Sequence, residues 1–280
     1  MWCLCFFGSS LNPLQVGFIL LASFSCILHL PAQPLSLTLT GGSIRIPCHF
    51  SGLFGFKPTT NRVSKKGTTA PRLRNETGQS LISSVAGPMG RSIRDLTLVL
   101  QAWWDSDRMF LADPYVTPQR FNHQVYTHGR GEGVPLRVGL VRSDGHFDSC
   151  VTVQRALTMA AEGLERQGHV VVPTQLPLDG TEIARLYYQI MGADGSLHFM
   201  RQALEGEDLA GMYQELNRLS AIPDWLRALA VGWMKQVRGE HRVATIAGGV
   251  KQHGLDVRSF FELANTLRRI QKAYVDFMRE

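Results

Sequence analysis

Hydroxyl, imidazole, thiol and amine side chains are the groups from which this chain could build a reaction centre, and their spacing sets limits at once. His49, His123, His128 and His146 are too widely spread to form a compact ligand set. Cys3, Cys5, Cys26, Cys48 and Cys150 show neither metal-site spacing nor a convincing disulfide framework. The expected metal content is therefore none. A serine hydrolase of the α/β-hydrolase kind would display a GxSxG elbow, which the GGSIR stretch at 41–45 does not fit. More informative is the longer run 41–60, GGSIRIPCHFSGLFGFKPTT, crowded with glycine and proline. Glycine permits backbone conformations and close approaches that other residues resist, as a chain packed around a reactive group requires. A lysine acts as a base only when neutral and within hydrogen-bond reach of the proton it accepts. Lys65 and Lys66, adjacent in a polar stretch, are expected at the surface, and Lys57 is expected to position local backbone.

The elements that would carry such a centre are read from periodicity. Ser92 with Asp95 forms a capping box, after which Ile93, Leu96, Val99, Leu100 and Trp103 recur at helical spacing. That helix ends before a proline-bearing loop at 105–118. Residues 136–141, LRVGLV, predict a strand. Residues 150–167 predict a helix with Val153, Leu157, Ala160, Ala161 and Leu164 on one side; Gly168 ends it, and 169–172 form a second strand. Strand, helix and strand in that order imply a right-handed crossover between parallel strands, so the fold class is α/β. A helix over 182–200 is interrupted at 192–196. The strongest periodicity is Phe260, Leu263, Leu267, Ile270, Tyr274 and Phe277, which a box of Ser259 with Glu262 would cap.

Bulk properties narrow the function classes. The 280 residues carry Lys plus Arg 29 and Asp plus Glu 23, a net charge of +6. No charged side chain precedes Arg45, and seven basic residues from Arg45 to Arg74 come before the first acid, Glu76. The basic run lacks the aromatic content and motifs of nucleic-acid modules, so no specific nucleic-acid partner is expected. Residues 16–30, VGFILLASFSCILHL, form an uncharged run short of the roughly 20 residues a spanning helix needs, which leaves a candidate membrane helix at about 14–30. Residues 1–40 form an apolar N-terminal segment, and 41–280 the remaining domain. The sequence sets no oligomeric state.

Residues 41–64, GGSIRIPCHFSGLFGFKPTTNRVS, closely resemble the amidase-signature family, and 85–103, VAGPMGRSIRDLTLVLQAW, are similar to its next block. Residues 136–170 and 187–204 resemble its later strand, helix and strand region, so the likeness runs over about 41–280, closest in character to the fatty-acid amide hydrolase branch. The resemblance implies a mixed, twisted sheet flanked by helices, incomplete in this chain. It implies Ser43 as the nucleophile that forms an acyl ester, with the backbone of Gly41, Gly42, Ser43 and Ile44 around the oxyanion, and Arg45 and Lys57 as supporting residues. No cofactor is implied. The family places a lysine and a GSSGG-like serine segment before this motif; here no lysine precedes Lys57, and Ser9 with Ser10 lacks the glycine pair.

The expected activity is hydrolysis of long-chain acyl amides, with these residues catalytically incomplete because that upstream lysine and serine are missing. The rival is a noncatalytic membrane-associated or interaction fragment. Residues 219–237 carry Ile222, Trp225, Leu226, Leu229, Trp233 and Met234 at largely helical intervals. They resemble the membrane-facing cap of the branch, which implies a membrane surface as partner, with Ile222, Trp225, Leu229 and Trp233 in contact. The expected location is an intracellular membrane, with the cytoplasm as the alternative.

Overall fold

The computed structural model describes residues 35–39, 42–66, 81–128, 134–195, 198–203, 208, 211–239, 241–249 and 251–279. They fall into two compact units, one drawn from 9–70 and 82–134 and the other from 71–81 and 135–280.

The first unit contains β1 (Leu35–Leu39), α1 (Arg45–Ser51), β2 (Phe54–Gly55), β3 (Val85–Gly90), α2 (Ile93–Trp104), α3 (Arg108–Ala112) and α4 (His123–His128). β3 is central, paired antiparallel with β1 on one side and β2 on the other. Leu35 faces Met89 and Leu39 faces Val85 in the first ladder, and Gly55 faces Met89 in the second. Val85, Ala86, Gly87, Pro88 and Met89 are all buried. Pro88 has no N–H to donate, yet its carbonyl accepts from Phe56 N at 3.0 Å, which extends the short β2 ladder. The expected capping box starts α2: Asp95 N donates to Ser92 Oγ and Ser92 N to Asp95 Oδ2, both at 3.1 Å. Leu96 and Leu100 are buried one turn apart, four residues being the spacing that returns a side chain to the same helix face. The loop after α2 holds one further helical turn, α3.

The second unit begins with β4 (Arg137–Leu140), α5 (Val151–Arg166) and β5 (Val170–Pro173). β4 and β5 pair in parallel, Arg137 with Val170 and Leu140 with Pro173, as the strand, helix and strand order requires. Gly168, at φ 84°, releases the chain from α5, where a residue with a side chain would be strained. Val153, Leu157, Ala161 and Leu164 are half-buried on α5 as expected, whereas Ala160 is exposed. There follow α6 (Gly180–Met191), α7 (His198–Ala203), α8 (Gly211–Ala221), α9 (Asp224–Trp233), a π-helical turn (Met234–Arg238), α10 (His241–Gly249) and α11 (Val257–Phe277). Leu186 and Ile190 of α6 and Ala244 and Ala247 of α10 are buried. The two helices come so close that a Cβ on Gly249 would lie 2.5 Å from Tyr188 Cβ.

Three expectations change. The α/β class stands, but the strands described form two small sheets, an antiparallel trio and a parallel pair. α11 is capped by Asp256, not Ser259: the Asp256 side chain accepts from Ser259 N at 2.8 Å, so Ser259 lies inside the first turn. The expectations of a membrane location and of a membrane surface as partner are corrected: among the described residues no helix is long and apolar enough to cross a membrane. The segment carrying Ile222, Trp225, Leu229 and Trp233 is broken at Pro223, and α9 has 10 residues. At 1.5 Å per residue that is about 15 Å, half the hydrocarbon thickness. Trp225, Leu229 and Trp233 are exposed and Ile222 half-buried. The candidate membrane helix at 14–30 lies outside the described residues.

Candidate active site

Ser43 stands in the first unit between a strand and a helix. β1 ends at Leu39 and α1 begins at Arg45, so five residues join them; of these, Thr40 and Gly41 lie outside the described residues. Gly42 adopts φ 119°, a conformation that residues with a Cβ rarely adopt. Its carbonyl accepts from Ile46 N at 2.7 Å, and the Ile44 carbonyl from Cys48 N at 3.2 Å, so the turn passes directly into the helix. Gly42, Ser43 and Arg45 are half-buried, whereas Ile44 is 4% exposed. A serine flanked by a glycine turn and a helix start has backbone N–H groups around it that the helix cannot pair, which is the arrangement a developing oxyanion needs.

Ile44, Cys48 and Met89 form a buried cluster against which Leu53 packs. Gly55 on β2 and Gly87 on β3 make it fit. A Cβ on Gly55 would lie 2.5 Å from Cys48 Sγ and 2.9 Å from Ile44 Cγ2. One on Gly87 would lie 2.1 Å from the Phe56 carbonyl oxygen and 3.0 Å from Ile44 Cδ1. Burial pushes the Cys48 thiol up to about 11, so it stays a neutral apolar filler and is no rival nucleophile. Glycines in the sequence mark freedom of the backbone but not the atom that will approach it, so the roles of Gly55 and Gly87 were not legible. Only their clustering in 41–60 and in the VAGPMG strand hinted at close packing.

Lys57 donates from Nζ to the Pro58 carbonyl at 2.8 Å, as expected of a residue that holds backbone. The residue as a whole is exposed, but its ammonium is crowded: desolvation lowers its pKa, and the positive charge of Arg45 lowers it further. Arg45 and Lys57, expected as supporting residues, are therefore near enough for the charge of one to act on the other. Lys65 is half-buried rather than exposed, and Lys66 is exposed with Nζ donating to the Ala112 carbonyl at 3.2 Å. The end of the motif is anchored to the loop after α2. Ser64 Oγ donates to Asp113 Oδ2 at 2.6 Å, a bond that, as the largest of several causes, holds the Asp113 carboxyl below its usual range. The Arg62 guanidinium lies 4.0 Å over the Trp104 ring, whose Nε1 donates back to the Arg62 carbonyl at 2.9 Å.

The histidines go elsewhere. His123 pairs with Asp105 at 2.9 Å, and His146 shares a hydrogen bond of 3.2 Å with Thr181 in the other unit. Among the described residues no three of His, Cys, Asp and Glu could hold a metal ion. Gly41, an expected oxyanion residue, lies outside the described residues, while Gly42, Ser43 and Ile44 adjoin one another at the head of α1.

Known proteins resemble this chain in sequence and in fold. The family model described as Amidase matches residues 38–280, three residues further upstream than the motif, within β1. The chain is 35% identical over 203 residues to fatty-acid amide hydrolase 1 of Sus scrofa, a match that takes in 70% of this chain and 32% of that protein. It is 32% identical over 169 residues to fatty acid amide hydrolase 1 of Caenorhabditis elegans, taking in 60% of this chain and 28% of that one. A solved fatty acid amide hydrolase superposes with a TM-score of 0.63 at 26% identity, over 87% of this chain and 36% of its own. A bacterial aryl acylamidase of the amidase-signature enzymes superposes at 0.51 with 20% identity, over 87% of this chain and 42% of its own, a likeness of fold alone. The chain spans about a third of the length of these two curated relatives. With nearly all of it from residue 38 onward matched by the family model, the chain belongs to the amidase-signature family and is related to the fatty-acid amide hydrolases.

Proposed function

We propose that this chain carries the nucleophile portion of an acyl-amide hydrolase, with Ser43 as the attacking residue. The observation that carries the proposal is the placing of Ser43 between the φ 119° glycine and the start of α1, within the family match. In the reaction, Ser43 Oγ bonds to the amide carbonyl carbon while its proton passes to a base. The resulting oxyanion is held by backbone N–H groups of Gly41, Gly42, Ser43 and Ile44, collapses, and expels the amine, which takes a proton as it leaves. Water then adds to the acyl ester, gives its proton to the base, and releases the fatty acid with the hydroxyl restored. No metal or cofactor is required for this sequence. Long-chain acyl amides are the proposed substrates, supported by the two relatives named as fatty-acid amide hydrolases.

The base is the difficulty. An alcohol at neutral pH is a weak nucleophile without an adjacent acceptor. Lys57 is the first lysine in the sequence, and its amine is engaged with the Pro58 carbonyl. We therefore propose that these 280 residues alone do not turn over amides. The second reading is a noncatalytic interaction fragment, to which the exposed Trp225, Leu229 and Trp233 lend support. A chimera separates the two. Residues 38–280 would replace the matching stretch of the Sus scrofa relative, whose own upstream region remains in place. Hydrolysis of a long-chain acyl amide by the chimera, lost by about 10⁶-fold on Ser43→Ala, is the expected outcome. A folded chimera with no hydrolysis would overturn the amidase reading and leave the interaction fragment.

A further inference from the structure

Building on the reading of Ser43 as the nucleophile, we infer that Ile44 is its positioning residue, a wedge seated between two glycines that fixes residue 43 relative to the sheet. Three observations converge. Ile44 is 4% exposed, although it lies in the turn beside a half-buried serine. Its side chain is received on two sides by strands from different parts of the chain. Cγ2 lies 2.9 Å from where a Cβ on Gly55 of β2 would be, and Cδ1 lies 3.0 Å from where one on Gly87 of β3 would be. A Cβ on Gly55 would come closer to Ile44 than real Cβ atoms do, and one on Gly87 would press on the tip of the same side chain, so the two glycines together make room for it. Finally, neither wall can readily retreat. Gly87 faces the Phe56 carbonyl at 2.1 Å by the same measure, Phe56 N bonds to the Pro88 carbonyl, and Gly55 pairs with Met89.

The consequence is mechanical. The Ser43 backbone is joined on its far side to Gly42, a residue free to adopt many conformations and held here at φ 119°. Flexibility on that side is balanced by the locked side chain on the other. A β-branched residue is stiff about χ1, so anchoring its two branches in separate sockets fixes its backbone, and with it the peptide that bears Ser43. A positional error of about 1 Å at a reacting group costs on the order of 10²-fold in rate. That sensitivity gives the wedge its importance.

The test needs no amidase activity, so failure of the wedge and failure of the hydrolase reading are distinguishable. Ser43→Cys places a thiol at the position in question, and its alkylation by iodoacetamide can be followed peptide by peptide in the full 280-residue chain at a pH where free thiols react. Adding Ile44→Ala is expected to raise that rate about tenfold as the turn opens. Ile44→Val, which keeps the branch facing Gly55, is expected to leave it within about twofold. Met89→Ala removes a neighbour in the same buried cluster and is likewise expected to leave it unchanged, although it lowers stability. Should Ile44→Ala not fold, Gly55→Ala in a Cys48→Ala background serves instead. The sulfur 2.5 Å away is gone, the new methyl pushes on Ile44 Cγ2, and the same rise is expected relative to Cys48→Ala alone. No rise with Ile44→Ala, an equal rise with Ile44→Val, or an equal rise with Met89→Ala would each overturn the inference.

Discussion

Replacing Gly42 by alanine separates the geometry of the turn from the stability of the chain. At φ 119°, a residue with a Cβ pays about 1–3 kcal/mol for the backbone conformation. The new methyl would also lie 2.8 Å from Ile46 Cδ1 and 3.1 Å from Cγ1. The first of these is the end of a flexible side chain, so rotation relieves the contact for about 0.5–1.5 kcal/mol. The sum is about 1.5–4.5 kcal/mol if the turn is held as it is. A turn at the edge of a sheet can instead rearrange, and the cheaper course is for residues 42 and 43 to move. At 1.4 kcal/mol per tenfold, the native turn then becomes a minor state, populated about tenfold less or lower. We therefore expect Gly42→Ala, in the chimera, to lower kcat/KM by about tenfold or more while shifting Tm by only a few degrees. Gly42→Asn should fare no better, since asparagine favours φ near +57° and not +119°. The assay is steady-state hydrolysis of a long-chain acyl amide beside thermal unfolding of the same samples. Full activity in Gly42→Ala, or a loss of activity no larger than the stability loss accounts for, would refute the reasoning.

Other consequences are open to measurement. Arg227 is buried and pairs with Asp224, and donates to the carbonyls of Leu219 and Ile222, both at 3.1 Å, so it ties the end of α8 to the start of α9. Arg227→Met should cost about 2–3 kcal/mol in urea unfolding, below the 3–5 kcal/mol of a fully buried pair because the Asp224 side chain is 43% exposed and rehydrates. Arg227→Lys should recover less than half of that, for want of the forked donors. Asp194 has Oδ1 buried without a partner and Oδ2 accepting from Phe199 N; burial raises its pKa, with the Phe199 bond opposing. A carboxyl with a raised folded pKa adds stability below its unfolded pKa that is lost as pH rises through the folded value. Asp194→Asn should therefore flatten the fall in stability above about pH 4, and an unchanged pH profile would refute the assignment. Iodoacetamide should modify exposed Cys150 well before buried Cys48 in the folded chain, and equal rates by peptide mass spectrometry would contradict the burial of the Ile44 cluster.

Much of the fold was legible because its signals are local. The Ser92 and Asp95 box, the parallel strand, helix and strand, and the 257–277 helix each declare themselves within a few turns of chain. The cap of the last helix was misplaced by three residues because Asp256 and Ser259 both satisfy the same local pattern, and the carboxylate takes the N–H of the serine. The strip at 219–237 was misread for a different reason. Helical spacing tells which side of a helix is apolar but not what covers it, and the turn at Pro223 leaves Trp225 and Trp233 on a helix of 10 residues. At the site, Ser43 and Gly42 stood in the motif, and the hold of Lys57 on local backbone followed from its place there. What could not be read was the burial of Ile44, since it depends on Gly55 and on Gly87, which lies 43 residues away in the sequence. Contacts between distant segments are fixed by tertiary packing, which no local pattern encodes.

The central claim is that Ser43 is a nucleophile whose activating base does not come from these residues, and adduct mapping with a serine-directed fluorophosphonate tests it most directly. Peptide mass spectrometry should find the adduct on Ser43 in the chimera, and no adduct there in the 280-residue chain treated alongside. Selective modification of Ser43 in the chain alone, accompanied by repeated amide cleavage, would contradict the claim.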